Sequence, residues 1–184
     1  MLLAELLVVL ALVLLNGMLA MSELAVVSSR RGKLQMMADA GRRGAALALE
    51  LNADPGRFLS TVQIGITLVG IVAGAVSGAS LGGQLSEFLR GLGLGEGAAD
   101  AAGYGTVIGA ITFLSVVAGE LVPKQIALRN AEAIACIAAG PMAVLSRVAA
   151  PFVALLSRAS RLALRALGAG GDATSGVTED KIRA

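Results

Sequence analysis

The sequence predicts an all-α membrane protein with three transmembrane helices and further helices at the cytoplasmic surface. Two observations set the class. Hydrophobic residues make up 56% of the 184 and charged residues only 15%, where soluble chains run at about half apolar and a quarter charged. Mean hydropathy is +0.80. A third observation sets the span count: three apolar stretches are each long enough to cross about 30 Å of hydrocarbon at ~1.5 Å per residue. The 24 glycines fit the same setting, because small residues let membrane helices approach closely.

The first span runs from Leu2 to Val27 and is interrupted by Glu5, Asn16, Ser22 and Glu23. It lacks the basic n-region of a signal peptide and outruns the ~7–15 residues of an h-region. Span two covers Phe58 to Gly83, and span three Ala98 to Val122. Arg30, Arg31, Lys33, Arg42 and Arg43 follow span one, so the positive-inside rule places that loop and the C-terminus in the cytoplasm and the N-terminus outside. Between spans one and two, Gly32 to Leu51 mixes apolar residues with charges and reads as one juxtamembrane helix, stopped by Asn52-Ala53-Asp54-Pro55-Gly56.

Residues 131–167 carry an apolar first half, a break expected at Gly140-Pro141, and then Arg147, Arg158, Arg161 and Arg165. Arginines at helical spacing on an apolar helix read as an interfacial helix facing anionic headgroups, with a fourth span as the alternative. The transmembrane domain thus occupies 1–167. Residues 168–184 read as a linker, Gly168 to Gly176, leading into a helix start at Val177 that would open a further cytoplasmic domain; a frayed tail is the alternative.

Composition excludes several classes of function. There is no histidine and only one cysteine, Cys136, so the usual ligands of zinc, copper, iron and haem are missing. No nucleophile with a base and no phosphate loop supports an enzyme. A net charge of +2 is too small to argue for nucleic acid.

Glu120 is the residue that carries most chemistry. A carboxylate at the edge of a membrane-length run costs about 2.5–3.5 kcal/mol on insertion scales and by default marks an ion path. Pro123 follows, and a proline there is expected to end or kink the helix and free carbonyls beside the carboxylate. Each span adds an oxygen-rich stretch: Asn16, Ser22 and Glu23 in the first, Gln63 and Thr67 in the second, Thr112, Ser115 and Glu120 in the third. Gln63 and Thr67 are four apart, as are Ser115 and Gly119, so each pair shares a helix face. Together they offer hard oxygen ligands suited to a small dication. For each hydroxyl the competing role is a bond to its own i−4 carbonyl. Glu23 is equally suited to snorkelling to the interface, and Lys124 pairs with Glu120 along the helix while no cation is bound. Gly70, Gly74 and Gly78, at every fourth position, serve helix sliding or dimer packing.

Ala20-Met21-Ser22-Glu23-Leu24-Ala25, then Thr61-Val62-Gln63-Ile64-Gly65-Ile66-Thr67, then Gly119-Glu120-Leu121-Val122-Pro123-Lys124, resemble in order and spacing the transmembrane domain of the CorC (HlyC/CorC) and CNNM proteins. The resemblance implies a homodimeric magnesium transporter of the bacterial inner membrane. It would export Mg²⁺ in exchange for Na⁺ by alternating access through an inward-facing cavity. A nucleotide-binding CBS pair would follow, in a region for which Val177-Thr178-Glu179-Asp180 looks like the lead-in. It also implies a magnesium site formed by Ser22, Glu120 and oxygens around Gly65, Ile66, Thr67 and Gly119. Asn16, Glu23, Gln63, Ser115 and Lys124 would stand one layer out or at a sodium site. Where eukaryotic relatives have asparagine in the second span, this chain has Ile66 and Gly70, so an amide ligand is missing there. A magnesium sensor or scaffold without transport of its own is the alternative function. A membrane-active toxin is disfavoured by the apolar spans and basic loops.

Overall fold

The structure, a computed structural model, describes residues 2–166. They form α1 (Leu2–Ser28), α2 (Arg31–Asp39), α3 (Ala45–Ala53), α4 (Pro55–Ser77), a π-helical turn (Gly78–Gly82), α5 (Gly83–Gly91), α6 (Glu96–Val116), a second π-helical turn (Val117–Leu121), α7 (Val122–Arg129) and α8 (Ala131–Ala166). No strand occurs among the described residues. Chain contacts divide the molecule into Met1–Val148 and Ala149–Ala184; the first unit holds every packing feature below, and the described part of the second is the remainder of α8.

Helix α1 lies at the centre of the first unit, against α4, α7 and the second π turn. Its outer stripe, Leu3, Leu7, Leu10, Leu14 and Met18, is exposed, as lipid-facing positions are. Its inner stripe enters a core in which Leu19, Ala25 and Val26 meet Leu34, Ala45, Ala48, Phe58, Val62, Ala127 and Ala135. Where that core lies outside the hydrocarbon, each fully buried large side chain such as Leu34 contributes about 1.5–3 kcal/mol. The last turn of α1 is capped by a side chain from another helix: Asn52 Nδ2 donates to the carbonyls of Val26 at 2.8 Å and Ser29 at 3.4 Å.

Several expectations need correction. The single helix expected over 32–51 is two, α2 and α3, because Gly41 and Gly44 adopt φ of 74° and 79°, a left-handed conformation that breaks the helical run. At Gly44 there is no room for a side chain either, since a Cβ would stand 2.0 Å from the Cys136 carbonyl oxygen. The helices that carry spans two and three continue past Gly83 and Val122: continuous helical stretches cover Phe58–Gly91 and Glu96–Arg129, 34 residues each. At ~1.5 Å per residue each is about 51 Å long, so the charged ends Glu87, Arg90 and Arg129 extend beyond a hydrocarbon layer of about 30 Å without interrupting the helix.

Pro123 does not stop the helical run, which passes from α6 through the π turn into α7 and on to Arg129. It lies in the first turn of α7, just after the π turn, where its missing N–H is absorbed by the change of register. Gly140-Pro141 does not break α8, which passes through both. By length and apolarity four helices could span, Leu2–Ser28, Phe58–Gly91, Glu96–Arg129 and Ala131–Ser160, the last being the segment for which a fourth span is the alternative to an interfacial helix. The expected linker and helix start, 168–184, lie outside the described residues.

Candidate cation cavity

The second π turn exists because the sequence places a proline where α-helical bonding cannot continue. An N–H at position 123 would serve the carbonyl of Gly119 (i−4) or Ala118 (i−5); proline offers none, and Val122 N–H bonds to Val117 in the i−5 manner instead. The exposed backbone is answered from α1. Asn16 Nδ2 donates to the Gly119 carbonyl at 3.1 Å in a buried contact between residues 103 apart in sequence.

Two glycines make this approach possible. A Cβ on Gly17 would meet Pro123 Cγ at 3.0 Å and the Ala118 carbonyl oxygen at 3.2 Å, and one on Gly119 would meet Asn16 Nδ2 and the Val13 carbonyl oxygen, each at 3.3 Å. The tight seam between α1 and the π turn therefore rests on Gly17, which faces the Ala118 carbonyl and Gly119 Cα, and on Gly119, which faces the Val13 carbonyl and the Asn16 side chain.

Beside the seam lies a cavity of ≈ 260 Å³, whose polar lining comes from Asn16, Thr112, Ser115 and Glu120, and whose apolar lining includes Ile66 and Ile111. Asn16 is 8% exposed, and its Oδ1 is a buried acceptor with no hydrogen-bond partner. A buried amide oxygen left unpaired costs about 1–3 kcal/mol, which a ligand with positive charge would offset. Glu120 is partly exposed, and its Oε1 accepts from Lys124 Nζ at 2.7 Å. The same ammonium is 3.9 Å from Glu23 Oε2. Two carboxylates thus share one lysine, leaving a formal excess of one negative charge at the foot of the cavity.

The residues singled out from the sequence divide accordingly. Asn16, Ile66, Ser115 and Glu120 are brought to one cavity. Gly119 contributes its carbonyl to Asn16, and Glu23 and Lys124 form the adjoining ion cluster. Ser22 is buried but outside the cavity lining, and its hydroxyl donates to the Met18 carbonyl at 2.6 Å, the local i−4 bond that competes with any ligand role. Gly65 packs toward Leu19, whose Cδ1 would be 3.2 Å from a Cβ there. Gln63 and Thr67 lie on exposed surface and do not line the cavity.

Thr112, Gly70, Gly74 and Val116 complete the lining. Their signal was present in the sequence: Thr112 precedes Ser115 by three, and Gly70 and Gly74 are four apart, so each set shares a helix face. Among the described residues no three of histidine, cysteine, aspartate and glutamate converge, so a cation here would rest mainly on neutral oxygens.

Residues 7–184 match a protein family described as the cyclin M (CNNM) transmembrane N-terminal domain. The chain is 45% identical over 179 residues to the UPF0053 protein sll0260 of Synechocystis, covering 97% of this chain and 40% of the relative. It is 33% identical over 151 residues to the UPF0053 protein YhdT of Bacillus subtilis, covering 82% and 33%. It is 30% identical over 136 residues to the polyamine export protein of Haemophilus influenzae, covering 74% and 31%. The chain therefore spans two fifths or less of the length of these curated relatives.

Proposed function

Because this chain belongs to the CNNM transmembrane-domain family, we propose that it is the membrane part of a cation exporter, with Mg²⁺ as cargo and Na⁺ entry as the driving exchange. The observation that carries this reading is the cavity in which the unpartnered Asn16 Oδ1, the Thr112 and Ser115 hydroxyls and the Glu120 carboxylate stand together. All four are hard oxygen donors. With one carboxylate and neutral oxygens the site suits a dication that keeps several of its waters, as Mg²⁺ usually does.

Binding requires Lys124 to leave Glu120, so the resting ion pair acts as an internal substitute for the cargo. Alternating access then moves the cavity between the two sides of the membrane. The chain in this reading is multi-pass in the inner membrane, with its N-terminus outside and its C-terminus cytoplasmic. Three spans cross and α8 lies at the interface. Arg147, Arg158, Arg161 and Arg165 recur at near-helical spacing in the sequence, which supports the interfacial placement. The functional unit is a homodimer. A nucleotide-binding CBS pair is its regulatory part in this reading.

A second cargo is favoured by a specific observation. The ligand held by Glu120 in the structure is an alkylammonium group, that of Lys124, and the cavity's apolar wall of Ile66 and Ile111 suits methylene stems. The H. influenzae relative is named a polyamine export protein.

Reconstituted vesicles separate the readings. Mg²⁺ or spermidine flux is measured for the protein and for Glu120→Gln, with and without a Na⁺ gradient. Sodium-stimulated Mg²⁺ flux lost in the variant is expected; spermidine flux alone would reassign the cargo. Undiminished flux in the variant would remove the cavity from the transport path. Mg²⁺ binding without flux would favour a sensor.

A further inference from the structure

At the far end of α1 a second concavity of ≈ 260 Å³ lies between α2, the α7–α8 junction and the loop at Arg42, independent of the cation cavity and of the function proposed for it. Its charged and polar lining is Lys33, Arg42, Arg129, Asn130 and Glu132. The carboxylate is already engaged: Glu132 receives Arg30 Nε at 3.2 Å and Lys33 Nζ at 3.0 Å, and is nearly buried by them. Arg42 and Arg129 have no ion pair among the described residues.

Four cations, Arg30, Lys33, Arg42 and Arg129, therefore surround one anion, and two guanidiniums facing the same hollow are left without a counter-charge. The first turn of α8 lines the same hollow through Glu132 and Ala133. The depth of the pocket is informative. Arg129 is the last residue of one candidate span, and Arg30 and Lys33 follow within five residues of the end of another, Leu2–Ser28. That is the level of lipid headgroups if these helices cross a bilayer.

We propose that this pocket binds a phosphate group, held by the guanidinium forks of Arg42 and Arg129. Planar guanidinium matches phosphate oxygens in a bidentate manner, and the carboxylate in the pocket is already neutralised by two other cations. The chemistry is shared by two sources, the headgroup phosphate of an anionic phospholipid and free phosphate.

The test uses the purified protein in nonionic detergent. In one arm phosphatidylglycerol or phosphatidylcholine is titrated and retained lipid is read by native mass spectrometry. In the other, inorganic phosphate is titrated as a competitor and for its effect on thermal unfolding. Arg42→Gln and Arg129→Gln are each expected to weaken phosphatidylglycerol retention about fivefold. Arg31→Gln, an equal charge loss on exposed α2 surface outside the pocket, is expected to change it less than about twofold. Selective retention of phosphatidylglycerol assigns the site to the headgroup. Stabilisation by millimolar inorganic phosphate that is lost in the two pocket variants assigns it to free phosphate. No preference over phosphatidylcholine together with no phosphate effect on the unsubstituted protein, or an equal loss in Arg31→Gln, overturns the proposal.

Discussion

Asn16→Leu should destabilise the bundle, and most of that cost should vanish when Pro123 is also replaced by alanine. The substitution removes the buried bond from Asn16 Nδ2 to the Gly119 carbonyl, 3.1 Å long. An orphaned buried acceptor costs about 1–3 kcal/mol in water-soluble proteins, whereas interhelical side-chain bonds in a membrane bundle average ~0.6 and reach ~1.7 kcal/mol. The upper end applies here because the α-helical donor to that carbonyl, the N–H of residue 123, is missing in Pro123. Part of the loss is offset, since the unpartnered Asn16 Oδ1 disappears with the side chain. A net cost of about 1 kcal/mol follows.

In the Pro123→Ala background an N–H at 123 can reach the carbonyl of Gly119 or Ala118, and the cost of Asn16→Leu should fall below about 0.5 kcal/mol. Reversible unfolding in mixed detergent, run on all four proteins of the cycle, measures the difference. The single variant should also melt about 2–4 °C lower, the shift expected for ~1 kcal/mol in a chain of this size. An equal cost in both backgrounds would refute the claim that Asn16 serves the carbonyl that proline leaves open.

Three further outcomes are expected. Gly17→Val should cost about 1–3 kcal/mol, because its Cβ would press on Pro123 Cγ and the Ala118 carbonyl oxygen, and it should depress vesicle flux along with stability. Gly44→Ala should lower the yield of folded protein sharply, by size-exclusion profile and melting temperature: it imposes a left-handed φ of 79° on alanine and sets a Cβ 2.0 Å from the Cys136 carbonyl oxygen. Glu132→Gln should destabilise by about 1 kcal/mol at low salt, and by less in 0.5 M salt by the same unfolding assay. Its carboxylate is nearly buried, but its partners Arg30 and Lys33 are largely in solvent and therefore screened.

Much of the fold was legible because a membrane imposes a coarse code: apolar runs of span length with charges at their ends. Helix α1 matched that reading to within a residue, Leu2–Ser28 against an expected 2–27. For the second and third runs the charged residues mark where hydrocarbon is expected to end and not where the helix ends, and both helices continue to Gly91 and Arg129. The split between α2 and α3 was missed because two glycines at 41 and 44 look like tolerated helix interior until the approach of the Cys136 carbonyl is known. Whether Ala131–Ser160 crosses is not a property of its length and apolarity, which suit both placements.

At the candidate site, Glu120 and Asn16 stood out as polar atoms in apolar helices, and both line the cavity. Ser22, Gln63 and Thr67 carried the same signal without reaching it. A hydroxyl in a helix can close on its own i−4 carbonyl, as Ser22 does on Met18 and Ser77 on Ala73, and sequence spacing does not reveal which choice is made. The π turn was also hidden. Proline predicts a disturbed helix, but the form the disturbance takes depends on which partner answers the open carbonyl, and that partner is 103 residues away.

The most direct measurement is an anomalous difference map from crystals grown with Mn²⁺ as a stand-in for Mg²⁺. The expected result is a peak between the Glu120 carboxylate and Asn16 Oδ1, with Lys124 withdrawn from its 2.7 Å contact. A map with Lys124 still seated on Glu120 and manganese bound only elsewhere would contradict a cation path through this cavity.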